Sequence, residues 1–155
     1  MAINSSTTLS SFDVGRPIIY SQVMTIRFDD LDPYGHVNAS RYIDFVGSSR
    51  LIYASKALNL NPDYLLSRGC GWFLKNIDCT FKKPINGLQD VMVKSWVANF
   101  TGDSRFLVVF EMSSEDGRRI FSQGSLTYVT MDLKANAPAN LPEWLFPYFF
   151  ARSEA

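Results

Sequence analysis

The residues able to do chemistry are concentrated between Phe28 and Tyr42, F-D-D-L-D-P-Y-G-H-V-N-A-S-R-Y, where the chain's only histidine sits among three aspartates. Pro33 and Gly35 force a turn directly after Asp32, and Asn38 can cap a helix starting at Ala39. A carboxylate on a rigid turn beside the free N–H groups of a helix start meets the two needs of polarised carbonyl chemistry. One group attacks or takes a proton, and the other stabilises the developing oxyanion. This stretch is the candidate active site.

Each of these side chains also has a plainer use. Asp32 can hold its own turn by accepting backbone N–H bonds, His36 can be structural, and Asn38 can cap the helix without touching a substrate. Asp29 and Asp30 read as solvated or loop-fixing acids, and Arg41 and Arg50 as ion-pair or hydrogen-bond partners. An Arg50 on a buried helix would demand a carboxylate. The run from Asp30 to Gly35 imitates the first half of an EF-hand loop, but Tyr34 stands where Asp or Asn is needed and Arg41 where a bidentate glutamate is needed. Calcium is excluded on that ground, and no serine elbow accompanies His36 for a nucleophilic triad.

The elements that position these residues follow from the hydrophobic pattern. Residues 18–28 predict a first strand, entered at Pro17 and enriched in β-branched and aromatic residues. Residues 39–58 predict a long helix whose apolar residues spread around most of its circumference, which implies burial on all sides. Gly47, Ser48 and Ser49 interrupt it with small residues, read as a place where a sheet approaches closely. Residues 59–69 form a loop or short second helix around Asn61-Pro62. A meander of four strands is then expected: 71–83, ended by Pro84; 91–100; 105–113, after a turn at 101–104; and 119–131, after the Asp116-Gly117 hairpin signal. Gly124 inside the last strand marks close approach of another backbone or helix. Residues 136–140 read as a linker, and a short helix opening at Leu141-Pro142-Glu143 carries Trp144, Phe146, Tyr148, Phe149 and Phe150. So many aromatics must pack on the domain or on a partner subunit. The order gives an α+β domain over residues 17–150, with residues 1–16 a Ser- and Thr-rich flexible arm.

Composition narrows the function. The 155 residues are 46% hydrophobic and 19% charged with zero formal net charge, enough for one domain with a substantial core. No Lys or Arg run stands out, so nucleic acid and anionic membrane surfaces are disfavoured as partners, and a small-molecule or acyl ligand fits better. The first residues carry neither a basic nor an apolar leader segment, and no run of apolar residues is long enough to span a bilayer; a soluble, cytoplasmic protein is expected. Cys70 and Cys79 lie nine apart with one histidine to accompany them, so they are read as structural thiols and no metal or other cofactor is expected.

The stretch from Asp32 to Tyr42, D-P-Y-G-H-V-N-A-S-R-Y, followed by I-D-F and then Arg50, resembles the hotdog-fold acyl-CoA thioesterases of the 4-hydroxybenzoyl-CoA thioesterase type, particularly bacterial long-chain acyl-CoA members. It is also similar to the aspartate, histidine, V-N motif of the plant acyl-carrier-protein thioesterases. The resemblance implies a five-stranded antiparallel sheet wrapped around the long central helix. It further implies a homodimer or homotetramer with sheets joined edge to edge and acyl sites at the interface. Asp32 falls on the family's catalytic aspartate, as nucleophile or general base, and the N–H near Ala39 on the donor to the thioester carbonyl. Tyr34, Gly35, His36 and Asn38 occupy the surrounding substrate-binding positions. Two departures bear on mechanism and substrate. Gly47 and Ser48 stand where several relatives carry helix acids. The turn T-G-D-S-R keeps only Arg105 where some relatives are basic, leaving Lys82 and Lys83, or an acyl-carrier-protein substrate, to be considered. A non-catalytic hotdog module that binds an acyl thioester is the reading from a different class.

Overall fold

Alternating apolar residues build one antiparallel sheet, and its strand order decides where the motif lies. The computed structural model describes residues 15–100 and 103–151. The expected arm falls almost wholly outside them, as do Thr101 and Gly102 of the expected turn. Strand β1 spans Tyr20–Thr25, helix α1 Arg41–Leu58 and helix α2 Pro62–Ser67. Strands β2 (Cys70–Phe81), β3 (Asp90–Phe100), β4 (Arg105–Ser114) and β5 (Ile120–Asp132) follow, then a two-residue strand β6 at Ala137–Pro138 and a short helix α3 at Phe146–Phe149. All strand pairs are antiparallel, in the order β1-β3-β4-β5-β2, with β6 beside β5. This is an α+β hotdog arrangement, five principal strands with α1 packed across the sheet.

The expected four-strand meander holds only for β3, β4 and β5. Strand β2 does not pair with β3; it pairs with β5 along its whole length and becomes an edge. The reason lies in the segment between β2 and β3, where Pro84 and a left-handed Gly87 (φ 66°) build a wide crossing rather than a hairpin turn. The expected linker at 136–140 supplies β6 instead, and β1 is shorter than read, because the chain leaves the sheet after Thr25 and enters a 3-10 turn at Phe28–Asp30. Lys75, out of step with the alternation of its strand, sits where the β2–β5 register shifts between Leu74 and Asn76.

Helix α1 is buried on one face, not all round. Tyr42, Phe45, Val46, Ser49 and Ala54 face the core at helical spacing, while Leu51 is 55% exposed and Asp44, Ser48 and Lys56 are exposed. The core is one cluster to which β3, β4 and β5 contribute Val93, Val97, Val108, Phe110 and Leu126. The aromatic tail folds back onto its own domain: Phe149 and Leu145 are fully buried, and the Phe149 carbonyl accepts a 2.8 Å bond from the Ile18 amide. Cys70 is buried and Cys79 partly so, both unpaired, and burial pushes the Cys70 thiol above its ordinary pKa. That fits structural thiols.

The two noted glycines behave oppositely. At Gly124 an added Cβ would run into the Asp78 carbonyl and lie 2.8 Å from the Phe110 ring, so the expected close approach is present. At Gly47 it would meet nothing within 4 Å, and the expected close packing is absent. Gly47→Ala should therefore raise stability by about 1 kcal/mol through helix propensity. Gly124→Ala should lower it by on the order of 1–3 kcal/mol through overpacking. Urea denaturation of both variants checks the opposite signs.

Candidate active site

Backbone bonds made by the motif turn place it against the crossing between β2 and β3. The Val37 amide donates to the Ile85 carbonyl at 2.9 Å, the Gly87 amide to the Gly35 carbonyl at 2.9 Å, and the Asn38 amide to the Asp30 carbonyl at 2.8 Å. Gly35 takes a φ of 78°, the left-handed region a glycine enters at no steric cost. Asp30 is the loop-fixing acid: it is 8% exposed, accepts the Arg27 amide at 2.7 Å through Oδ2 and pairs with Arg41 Nε at 3.7 Å through Oδ1. Asp29 is exposed and pairs with Arg27 at 3.1 Å.

Asp32 closes its own turn. Its Oδ1 accepts the Tyr34 amide at 2.8 Å and the His36 amide at 3.0 Å, while its backbone amide donates to the His36 carbonyl at 2.7 Å. The capping use is thus real, and it occupies one carboxylate oxygen. Oδ2 makes no hydrogen bond among the described residues.

Asp32, His36 and Ala39 line a cleft of about 330 Å³ together with Tyr42, Phe81 and the pair Lys82 and Lys83. Of the other residues expected in the site, Tyr34 is 85% exposed and does not line the cleft, and Gly35 serves the turn. Asn38 does not cap the helix in the expected way. The helix opens at Arg41, and Asn38 Oδ1 accepts the Ser40 amide at 3.0 Å and the Ser40 hydroxyl at 2.9 Å, bracing the turn just before it. The Ser40, Arg41 and Tyr42 amides are all engaged, by Asn38 Oδ1, the Asn38 carbonyl and the Ala39 carbonyl. The Ala39 amide alone in this run has no partner among the described residues, and it lies at the positive end of α1.

Tyr42 and Phe81 were read only as core and strand residues, yet they form a wall of the cleft. Their rings meet edge to face with centroids 4.8 Å apart, although they come from α1 and β2. Burial pushes the Tyr42 phenol above its ordinary pKa against the opposing pull of a hydrogen bond with the Ile85 backbone, and the Asp32 charge adds to the rise. A neutral hydroxyl therefore stands near Asp32. Only a fold-level fact, the return of β2 to the helix start, brings Phe81, Lys82 and Lys83 here.

Comparison with known proteins bears on the family and the fold. The model of a family described as the thioesterase-like superfamily matches residues 26–147. No curated protein matches the chain. Among solved structures, the DHNA-CoA thioesterase of Staphylococcus aureus superposes with a TM-score of 0.72 at 22% identity, covering 84% of this chain and 88% of that one. A 1,4-dihydroxy-2-naphthoyl-CoA thioesterase from Synechocystis gives 0.71 at 17% identity over 81% and 90% of the two chains. A Staphylococcus aureus protein solved in complex with CoA gives 0.71 at 12% identity over 82% and 78%. At these identities the superpositions speak for the fold.

The turn geometry separates two roles of one side chain. Asp32→Asn keeps an oxygen for both turn amides and should melt close to the unmodified protein. Asp32→Ala leaves those amides without their acceptor and should cost about 1–2 kcal/mol. Paired thermal melts test this.

Proposed function

Since the chain belongs to the thioesterase-like superfamily, we propose that it hydrolyses an acyl-CoA thioester to a free acid and CoA in the cleft at Asp32. The observation that carries this reading is the division of labour at Asp32: Oδ1 is held by two turn amides, while Oδ2 and the Ala39 amide are both unengaged at one cleft. A thioester carbonyl accepting from the Ala39 amide would be polarised at the helix start. Asp32 Oδ2 then either bonds to the acyl carbon, expelling the thiolate and leaving a mixed anhydride for water to open, or takes a proton from a water that attacks the same carbon. The released thiol is CoA in either route. Lys82 and Lys83 at the rim suit the phosphates of CoA, and solved relatives of the same fold include proteins named for CoA thioesters and one holding CoA.

The working unit we propose is a homodimer, or a dimer of dimers, joined along β2. This edge strand is twelve residues long and leaves Phe73, Leu74, Ile77 and Phe81 exposed, whereas the opposite edge, β1, has six residues. A long apolar edge invites pairing with a second copy. Because Phe81, Lys82 and Lys83 continue from that edge into the cleft, such pairing would put the acyl site at the interface.

Asp32→Asn should abolish hydrolysis across a panel of aliphatic and aromatic acyl-CoAs and acyl-carrier-protein thioesters while retaining acyl-CoA binding. An Asp32→Asn protein that melts normally and hydrolyses within a few fold of the unmodified one would favour a binding module. Ala39→Pro removes the free amide at a position near the helix start and should lower turnover on the order of a hundredfold. Sedimentation at micromolar concentration should give a dimer or tetramer; a stable, active monomer would overturn the shared-interface arrangement.

A further inference from the structure

A second cavity lies beyond the cleft, against the far half of α1, and Arg50 is its one charged wall. The cavity holds about 260 Å³, and apart from Arg50, the indole N–H of Trp72 and the tyrosines Tyr20 and Tyr128 its walls are apolar, Phe106, Phe149 and Leu60 among them. It shares no lining residue with the Asp32 cleft. Two sequence features shape it. Gly47 presents no side chain, and the aromatic tail closes the opposite wall with Phe149, which packs on Trp72 and Phe106 at centroid distances of 5.7 Å.

Arg50 lacks the carboxylate that its position demands. Among the described residues no acid lies within 4.0 Å of it; its guanidinium donates one 3.0 Å bond to the Ser95 hydroxyl and lies 4.6 Å from the centroid of the Tyr20 ring. Burial pulls its pKa below the ordinary arginine value, opposed by the phenols of Tyr20 and Tyr128. A guanidinium has five N–H donors, so most of this fork is unengaged among the described residues. On the same cavity wall, the indole N–H of Trp72 is buried with no acceptor. A half-buried cation with no acid beside it and a buried donor with no acceptor among the described residues, both around an apolar space, are costly unless an anionic acceptor serves them.

We infer that this cavity binds a monocarboxylate with a compact apolar body, the carboxylate pairing with Arg50 and the body lying against Trp72, Phe106 and Phe149. Arginine suits this because its planar fork can take both carboxylate oxygens at once. A dianionic phosphate fits poorly, since a single cation in apolar surroundings cannot offset two charges. With about 30 Å³ per water as a yardstick, the space suits a body of roughly ten heavy atoms. The ligand belongs to the chemical class that thioester hydrolysis releases, but the inference does not depend on hydrolysis, because its readout is binding alone.

Calorimetric titration of the full-length protein with octanoate and with octan-1-ol tests it. Octanoate should bind at least tenfold more tightly than octan-1-ol, and octanoate should shift the Trp72 indole N–H resonance, assigned with Trp72→Phe. Arg50→Met should abolish the preference. A Lys82→Gln, Lys83→Gln double variant, which removes the cations of the other cleft, should keep it. Equal binding of acid and alcohol, absence of saturable octanoate binding, an unmoved Trp72 signal, or a preference that vanishes with the two lysines instead of Arg50 would each overturn the assignment. The comparison of acid with alcohol uses the unmodified chain, so it stands even where Arg50→Met fails to fold.

Discussion

Placement of the candidate site depends on a short set of backbone hydrogen bonds between the motif turn and the crossing that joins β2 to β3. Val37 with Ile85, and Gly35 with Gly87, tie two segments some fifty residues apart in the chain, and the bridge between His36 and Asn86 sits among them. These bonds hold Asp32 and the start of α1 beside the end of β2. Remove them, and Asp32 still closes its own turn, but no cleft with Phe81, Lys82 and Lys83 exists. Asp30, buried and accepting the Arg27 amide, fixes the chain as it enters the turn, so the three aspartates of the motif divide into one anchor, one solvated acid and one carboxylate at the cleft.

Local chemistry was legible in the sequence where it is local. Pro33 and Gly35 announce the turn, Asp116-Gly117 the hairpin and Pro84 the end of β2, since each acts through its own backbone or that of near neighbours. The strand boundaries came within about two residues for β2 to β5. Pairing was not legible. Nothing in the alternation of β2 distinguishes a partner in β3 from one in β5, because period-two patterns specify a face and not a neighbour. The apparent all-round burial of α1 had a similar cause: Ala57 is apolar, yet it is exposed. Of the residues lining the cleft, Asp32, His36 and Ala39 were singled out because they belong to the motif; Tyr42 and Phe81 escaped because they come together only when β2 returns to the helix.

Arg50 makes the hydrogen bond expected of it, but among the described residues it has no ion pair. Arginine on a helix facing a sheet normally finds an acid, and here it finds a serine hydroxyl and a tyrosine face. Gly47, one turn earlier, leaves open the space that a side chain would have filled. The molecule thus carries two contrasting concave regions along one helix. At the start of α1 lies a cleft with a carboxylate and an amide that is unengaged among the described residues; toward its end lies an apolar space with a single cation.

The most direct test of the central claim is a crystal structure of the Asp32→Asn protein with an intact acyl-CoA thioester bound. The account predicts the carbonyl oxygen about 3 Å from the Ala39 amide nitrogen. The acyl carbon should lie within about 3.5 Å of the unbonded side-chain position of residue 32, or one water away from it. A thioester carbonyl seated away from both groups, with the acyl chain ordered elsewhere in the molecule, would contradict it.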